Sequence, residues 1–312
     1  MRRVLALVRS SSLATLVTVL GVLLILVGFG VLRPGSFNNP LLTTTLNAAT
    51  ESFGFQTPDE RESAWSLPPG EFSIIGASDS RECESNFLET VCRYSENTRL
   101  VVDGSADVVM QMSPAGGWLL SVAETEGQPA DISLFDAQGK RLLQSATLLQ
   151  YHTKKPQAAI RFPFVANSAV LGSDLHQTST IDGTPYDFWQ PVLLSGDVLM
   201  IADNRPSRDT YKVLEERLDP GDVVHVGENN AENRDNEQST VWGMVTVVAG
   251  GEAINVGTTV FEVVVHTSAR EVSVRRFGAP EGHIIRASYW TIRQKWPNGQ
   301  SAWIFFVSVV LV

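Results

Sequence analysis

Between Leu13 and Leu32 the chain reads LATLVTVLGVLLILVGFGVL, 20 consecutive residues without a charge. A helix of that length rises about 30 Å, the thickness of a bilayer's hydrocarbon layer. The run therefore predicts a transmembrane helix over 13–32. A cleavable signal peptide has an apolar core of roughly 7–15 residues followed by a small-x-small site. Here the run ends in Arg33-Pro34-Gly35, which favours an uncleaved anchor. Arg2, Arg3 and Arg9 precede it, and only Arg33 follows it before Glu51. The positive-inside rule then makes residues 1–12 a cytoplasmic tail and turns the body toward a periplasm or extracellular space.

Charge supports that division. The chain carries 24 basic and 34 acidic residues. Removing the three arginines of residues 1–32 leaves 21 against 34, a net −13 for the remainder. An acidic body repels phosphate backbones, so no nucleic-acid partner is expected. At the other terminus, Ala302–Val312 (AWIFFVSVVLV) is again apolar and uncharged, but eleven helical residues reach only about 16 Å. Tyr289, Trp290, Trp296 and Trp303 lie before or at its start, where interfacial aromatics belong. Residues 291–312 thus read as a juxtamembrane segment and the start of a second transmembrane helix. Arg33, Trp290, Arg293, Lys295, Trp296 and Trp303 would line the membrane interface. Arg293 and Lys295 sit on the outer side, against the usual bias, and a buried final strand is the competing reading of the same residues.

Between the apolar ends, residues 33–70 look like a tether, with Pro34, Pro40, Pro58, Pro68 and Pro69 and weak periodicity apart from a short helix around Leu41–Phe53. From Glu71 onward, short β-branched runs alternate with turn residues. Strands are expected at Phe72–Ile75, Leu100–Val102, Val108–Met112, Trp118–Val122, Ile132–Phe135, Val192–Ile201, Val223–Val226, Val241–Val248 and Thr258–His266. Asp209–Leu218 is the best short helix candidate. The fold class is mainly β, a barrel or sandwich-like extracytoplasmic domain. A soft boundary near Ser173–Pro185 divides it into modules 71–180 and 181–290.

The two cysteines, Cys83 and Cys92, enclose a short loop. In an oxidising compartment they form a disulfide, and the topology independently places them there. Two buried free thiols are the alternative. The spacing fits neither a redox C-x-x-C motif nor a zinc site. The five histidines, His152, His176, His225, His266 and His283, are scattered without metal-ligand spacing. No phosphate loop, dinucleotide fingerprint or nucleophile elbow occurs, so no catalytic residue, cofactor or metal is assigned.

Two stretches resemble known families. Glu232–Val245 (ENRDNEQSTVWGMV) resembles the GDNR-to-WG segment of type I signal peptidases, which are membrane-anchored, mainly β, and use a Ser–Lys dyad. Ala231-Glu232 stands where that family has Gly-Asp. The only counterpart of its serine motif is Met112-Ser113-Pro114, far from the first membrane helix, with Lys140, Lys154 or Lys155 to act as base. A polar loop leading into a strand explains the same residues.

Tyr211–Glu228 (YKVLEERLDPGDVVHVGE), followed by Val260–Arg270 (VFEVVVHTSAR), is similar to the membrane-side domain of mitochondrial membrane-anchored ubiquitin ligases. That domain, called GIDE or "beside a membrane", also occurs in bacteria and archaea, and the similarity spans about residues 190–312. It implies a GIDE- or OB-like β-module held against a bilayer. Those ligases take their catalysis from a RING domain; this chain has no Cys/His cluster, so no ligase activity is implied. Read locally, Asp219-Pro220-Gly221-Asp222 is a turn, and Val223–Val226 a strand in which His225 sits among valines. Glu215 and Glu216 are adjacent, so in a strand they point to opposite faces.

These readings converge on a non-enzymatic protein of the cytoplasmic (inner) membrane, single- or double-pass. Its outward β-domain would bind a membrane-protein partner or assemble with itself beside the lipid bilayer. Gly21, Gly28 and Gly30 offer close helix contacts for such assembly. The rival is a membrane-anchored envelope hydrolase of the signal-peptidase type.

Overall fold

The structure is a computed structural model. It describes residues 41–59, 61–75, 83–85, 90–113, 117–125, 127–153, 160–172, 178–181, 184–187, 192–204, 209–227, 240–248, 260–269, 271–276, 279 and 282–287, together with Gly21, which is helical. The rest of the expected Leu13–Leu32 helix and the expected 291–312 segment lie outside the described residues. No helix among the described residues is long and apolar enough to cross a membrane.

Among the described residues, twenty-three strands, numbered in chain order, form four sheets. A six-stranded sheet runs β13 (Ile160–Ala166), β20 (Val241–Val248), β21 (Val260–Thr267), β1 (Leu41–Thr50), β17 (Leu193–Asn204), β18 (Asp209–Leu218). An eleven-stranded sheet begins β23 (His283–Arg286), β22 (Glu271–Arg275), β19 (Val223–Val226), β14 (Ser168–Leu171), β2 (Ser52–Gln56), β8 (Ala106–Met112). It continues β9 (Trp118–Glu124), β12 (Leu148–Thr153), β4 (Gly70–Ile75), β6 (Thr90–Tyr94), β5 (Glu84–Ser85). A four-stranded sheet runs β11 (Arg141–Ala146), β10 (Asp131–Phe135), β7 (Thr98–Asp103), β3 (Glu62–Leu67). β15 (Thr178–Ile181) and β16 (Thr184–Asp187) make a separate hairpin.

Two compact units divide the chain: Leu42–Ile201 with Lys212–Ser288, and Met1–Leu41 with Ala202–Tyr211 and Tyr289–Val312. Of the second, only Gly21, Leu41, 202–204 and 209–211 are described. Apart from Leu41 and the facing ends of β17 and β18, the four sheets belong to the first unit.

The mainly β expectation holds, and each of the nine expected strands has a counterpart, though Thr258 and Thr259 lie outside the described residues and Val192 precedes its strand. Four local expectations are overturned. Residues 41–70 are not tether: β1, β2 and β3 fill them and β4 begins at Gly70. The helix around Leu41–Phe53 is β1 followed by β2. Leu42, Thr44, Leu46, Ala48 and Thr50 are all buried, a period of two disguised by threonines. Those hydroxyls are satisfied: Thr44 Oγ1 donates to the Ala269 carbonyl at 2.7 Å and Thr50 Oγ1 to that of Ser52 at 2.8 Å. The helix candidate Asp209–Leu218 is the edge strand β18, where pairing with β17 overrides local propensity. Nor do two consecutive modules meet near Ser173–Pro185. β14 lies before that boundary, yet it pairs with β19 beyond it, and β13 pairs with β20.

The core is aromatic and lies between the two large sheets. Phe164 of the six-stranded sheet stacks on Phe55 (5.0 Å between centroids) and tilts on Phe53 (5.1 Å) of the eleven-stranded one. Trp118 makes edge contacts with Phe162 at 5.5 Å and Tyr151 at 5.2 Å. Each such pair adds about 0.5–1.5 kcal/mol beyond the area it buries. Gly243, on β20 opposite Phe164, leaves room for that ring: a Cβ there would lie 2.9 Å from Phe164 Cζ and closer still to the Val264 carbonyl oxygen.

This packing has two measurable consequences. Gly243→Ala forces Phe164 or β21 to shift and lowers unfolding free energy by about 1–3 kcal/mol, read from denaturant curves. Tyr151 is fully buried and its hydroxyl donates to the Pro68 carbonyl at 3.1 Å. Burial pushes its phenol up to about 12 from an ordinary 10, against an opposing hydrogen bond with Thr153. Between those values the unfolded chain releases a proton that the folded chain keeps, so stability falls as pH rises through the window. Tyr151→Phe makes that alkaline decline shallower in denaturant midpoints measured across it.

Candidate interaction face

The chain enters and leaves this domain at the same end. β1 pairs antiparallel with β21 from Thr44↔Thr267 to Thr50↔Phe261, so the start of β1 lies at the end of β21. Thr44 reaches past it to Ala269. Two residues later β22 begins, and its Glu271 is opposite Arg286, the last residue of β23. Arg286 Nε meets Glu271 Oε1 at 2.9 Å. Leu42 and Ala287 therefore bracket one entry end. β17 runs toward it as well. Glu51 N–H donates to the Val192 carbonyl at 2.9 Å, whereas Asn47 Nδ2 donates to Asp197 Oδ2 at 3.2 Å, so later residues of β17 lie nearer the start of β1.

At this end the outer face of the six-stranded sheet mixes apolar and polar side chains among the described residues. Alternation turns Trp242, Met244 and Thr246 of β20 outward and buries Val241, Val245 and Val247. Register gives three cross-strand rows. Nearest the entry end is Val165, Trp242, His266, Thr45; then Pro163, Met244, Val264, Asn47; then Arg161, Thr246, Glu262, Ala49. Trp242 is 39% exposed, the only tryptophan among the described residues that shows a large apolar surface to solvent. Its ring lies 5.9 Å from that of His266, whose Nδ1 is 3.1 Å from Thr45 Oγ1. Charge enters this face in the second row with Asp197, whose carboxylate accepts from Asn47, and again in the third with Arg161 and Glu262.

The Asp219–Asp222 turn lies at the far end. Gly221 adopts a positive φ of 85°, Asp222 accepts the Asp219 N–H, and the Gly221 N–H reaches the Leu193 carbonyl at 2.8 Å. Glu215 and Glu216 diverge as strand geometry requires. Glu215 is exposed and pairs with Lys212; Glu216 is half-buried and pairs with His283, Nε2 to Oε1 3.1 Å. That carboxylate–imidazole pair was invisible in sequence, since 67 residues separate its members. With Arg276–Asp219 (3.3 Å) it spans from edge strand β18 to residues beside β22 and on β23. His225 is half-buried in β19 between Val170 and Ser273.

The peptidase elements do not assemble as a site in what is described. Ser113 follows β8 in the eleven-stranded sheet, and Lys140 is exposed in the β10–β11 turn of the four-stranded sheet. Lys154 and Lys155 lie outside the described residues. From Thr240 the resembling segment is simply the start of β20, and its Trp-Gly pair serves the outer face and Phe164 respectively. Among the described residues no three His, Cys, Asp or Glu side chains gather to hold a metal.

Cys83 and Cys92 form a disulfide, Cα–Cα 4.6 Å, tying β5's approach to β6 beside Tyr94. The expected interface residues Arg33, Trp290, Arg293, Lys295, Trp296 and Trp303 lie outside the described residues. Half-exposed pairs are weakly coupled. A double-mutant cycle of Glu216→Gln and His283→Ala therefore yields below about 1 kcal/mol and shrinks with added salt, the behaviour of a structural pair. No family model, curated protein or solved structure matches the chain.

Proposed function

We propose that this chain is a non-enzymatic integral membrane protein whose outward-facing β-domain binds a partner, or assembles with itself, while leashed to the bilayer from one end. The observation that carries the reading is the shared end at which the chain enters at Leu42 and leaves at Ala287. Only nine residues lie between Leu32 and Leu42, at most about 35 Å of extended chain. Ala302 follows Ala287 by fifteen (302 − 287), about 50 Å. Two apolar segments anchored in one membrane need both leashes on one side of the domain, and this topology supplies that. The Cys83–Cys92 bond supports an oxidising compartment for the domain. The similarity of 211–228 and 260–270 to the GIDE domain supports the same placement.

The test is membrane extraction combined with protease access. The full chain stays in the membrane pellet after alkaline carbonate. In spheroplasts, external protease digests the domain but spares an epitope placed within residues 1–12. Release by carbonate overturns the anchor. Digestion only after the inner membrane is breached overturns the outward orientation.

A further inference from the structure

We infer that the outer face of the six-stranded sheet is a binding platform for an uncharged oligosaccharide, with Trp242 as its stacking residue. The inference goes beyond the leashed reading and is independent of it, because every residue it uses lies on β1, β17, β20 or β21. A sugar ring of the glucose type carries its hydroxyls around its rim and leaves C–H bonds on its two faces. Those C–H groups are attracted to the negative face of an indole, and the rim needs hydrogen-bonding groups beside that indole. This face supplies both in register. Trp242 is the exposed aromatic of β20, and His266 stands opposite it on β21. Thr45 follows on β1, its Oγ1 3.1 Å from His266 Nδ1, which holds the imidazole by that nitrogen and leaves Nε2 to meet a ligand hydroxyl. One row along, Asn47 Nδ2 donates to Asp197 Oδ2 at 3.2 Å. An amide has a second N–H and a carbonyl, and a carboxylate has further acceptor sites, so one bond fixes the pair and leaves capacity for others. Two to three strand spacings separate Trp242 from this pair, about 10–14 Å, which suits linked sugars rather than a single ring. The same mixture argues against a protein on this face. Protein interfaces deplete charge at their cores, where Asp197 would be stripped of water. A hydroxyl-rich ligand instead replaces that water with donors of the same kind. Net charge narrows the ligand further: at −13 over residues 33–312, the chain repels sulfated and uronic-acid polymers, so the glycan is neutral.

The test is calorimetric titration of the full chain, held in a detergent without a sugar headgroup. The probes are the neutral oligosaccharides cellohexaose, chitohexaose and laminarihexaose, with a heparin hexasaccharide as the acidic control. At least one neutral probe is expected to bind. Trp242→Ala then weakens it about tenfold or more, and Trp242→Phe, which keeps an aromatic face, recovers most of the affinity. Asn47→Ala leaves the stacking residue in place and weakens binding about threefold, which keeps the inference testable even where loss of Trp242 disturbs the fold. Binding of none of the neutral probes, tighter binding of the heparin fragment, or an affinity unmoved by Trp242→Ala or by Asn47→Ala overturns the inference. So does sedimentation showing that Trp242→Ala breaks up an assembly of the chain, because protein rather than glycan then covers the face. Carbonate extraction and protease access bear only on the leash, so each reading fails separately.

Discussion

The pairing of β1 with β21 is the interaction on which the rest depends. It joins residues about 225 apart in sequence, as in the Thr44–Ala269 hydrogen bond, and inserts the first strand into the middle of a sheet otherwise made of later ones. Closing so long a loop costs chain entropy before any contact repays it. The ladder must therefore be supported by what it assembles. β1 brings Leu42, Leu46 and Ala48 to the core and continues through Glu51 into β2, which carries Phe53 and Phe55 into the opposite sheet. One continuous segment thus joins the two large sheets. Folding dominated by such distant contacts is expected to be slow.

Between the layers, aromatic packing outweighs polar satisfaction. Trp118 Nε1 and Thr98 Oγ1 are buried without a protein hydrogen-bond partner, each costing about 1–3 kcal/mol. Trp118 compensates by touching Tyr151, Phe162 and Phe261 from both sheets. Trp65 obtains both contributions: its ring meets Phe55, and its Nε1 donates to the Pro163 carbonyl at 2.9 Å. The glycine at 243 belongs to the same solution, since only a missing side chain admits Phe164.

How legible each element was depends on how its buried residues look. Val241–Val248 announces itself because nearly every inward position is valine. β1 hides because Thr44 and Thr50 are inward residues whose hydroxyls bond distant carbonyls, which no local pattern reveals. β18 hides because it is an edge strand, exposed enough to carry Lys212, Glu215 and Arg217. The turn and strand of the EERLDPGDVVHVGE stretch were readable from Pro-Gly chemistry. The partner of Glu216 was not, because it arrives from a strand near the other end of the chain. Trp242 read as part of a peptidase-like segment, and its significance is positional. Its exposure and its place beside the chain's entry emerge only from register.

The edges of the six-stranded sheet constrain how assembly, if it occurs, proceeds. An open strand edge offers a row of backbone groups to any other chain. β18 meets solvent with Lys212, Glu215 and Arg217, and Glu216 is engaged by His283. β13 carries Pro163, which has no N–H to donate and whose carbonyl is already taken by Trp65. Strand addition is therefore disfavoured at both edges, and contact is directed to a face. The outer face sets Val165, Trp242 and Met244 among Thr45, His266 and Asp197, so a partner meeting it would find apolar and polar groups together.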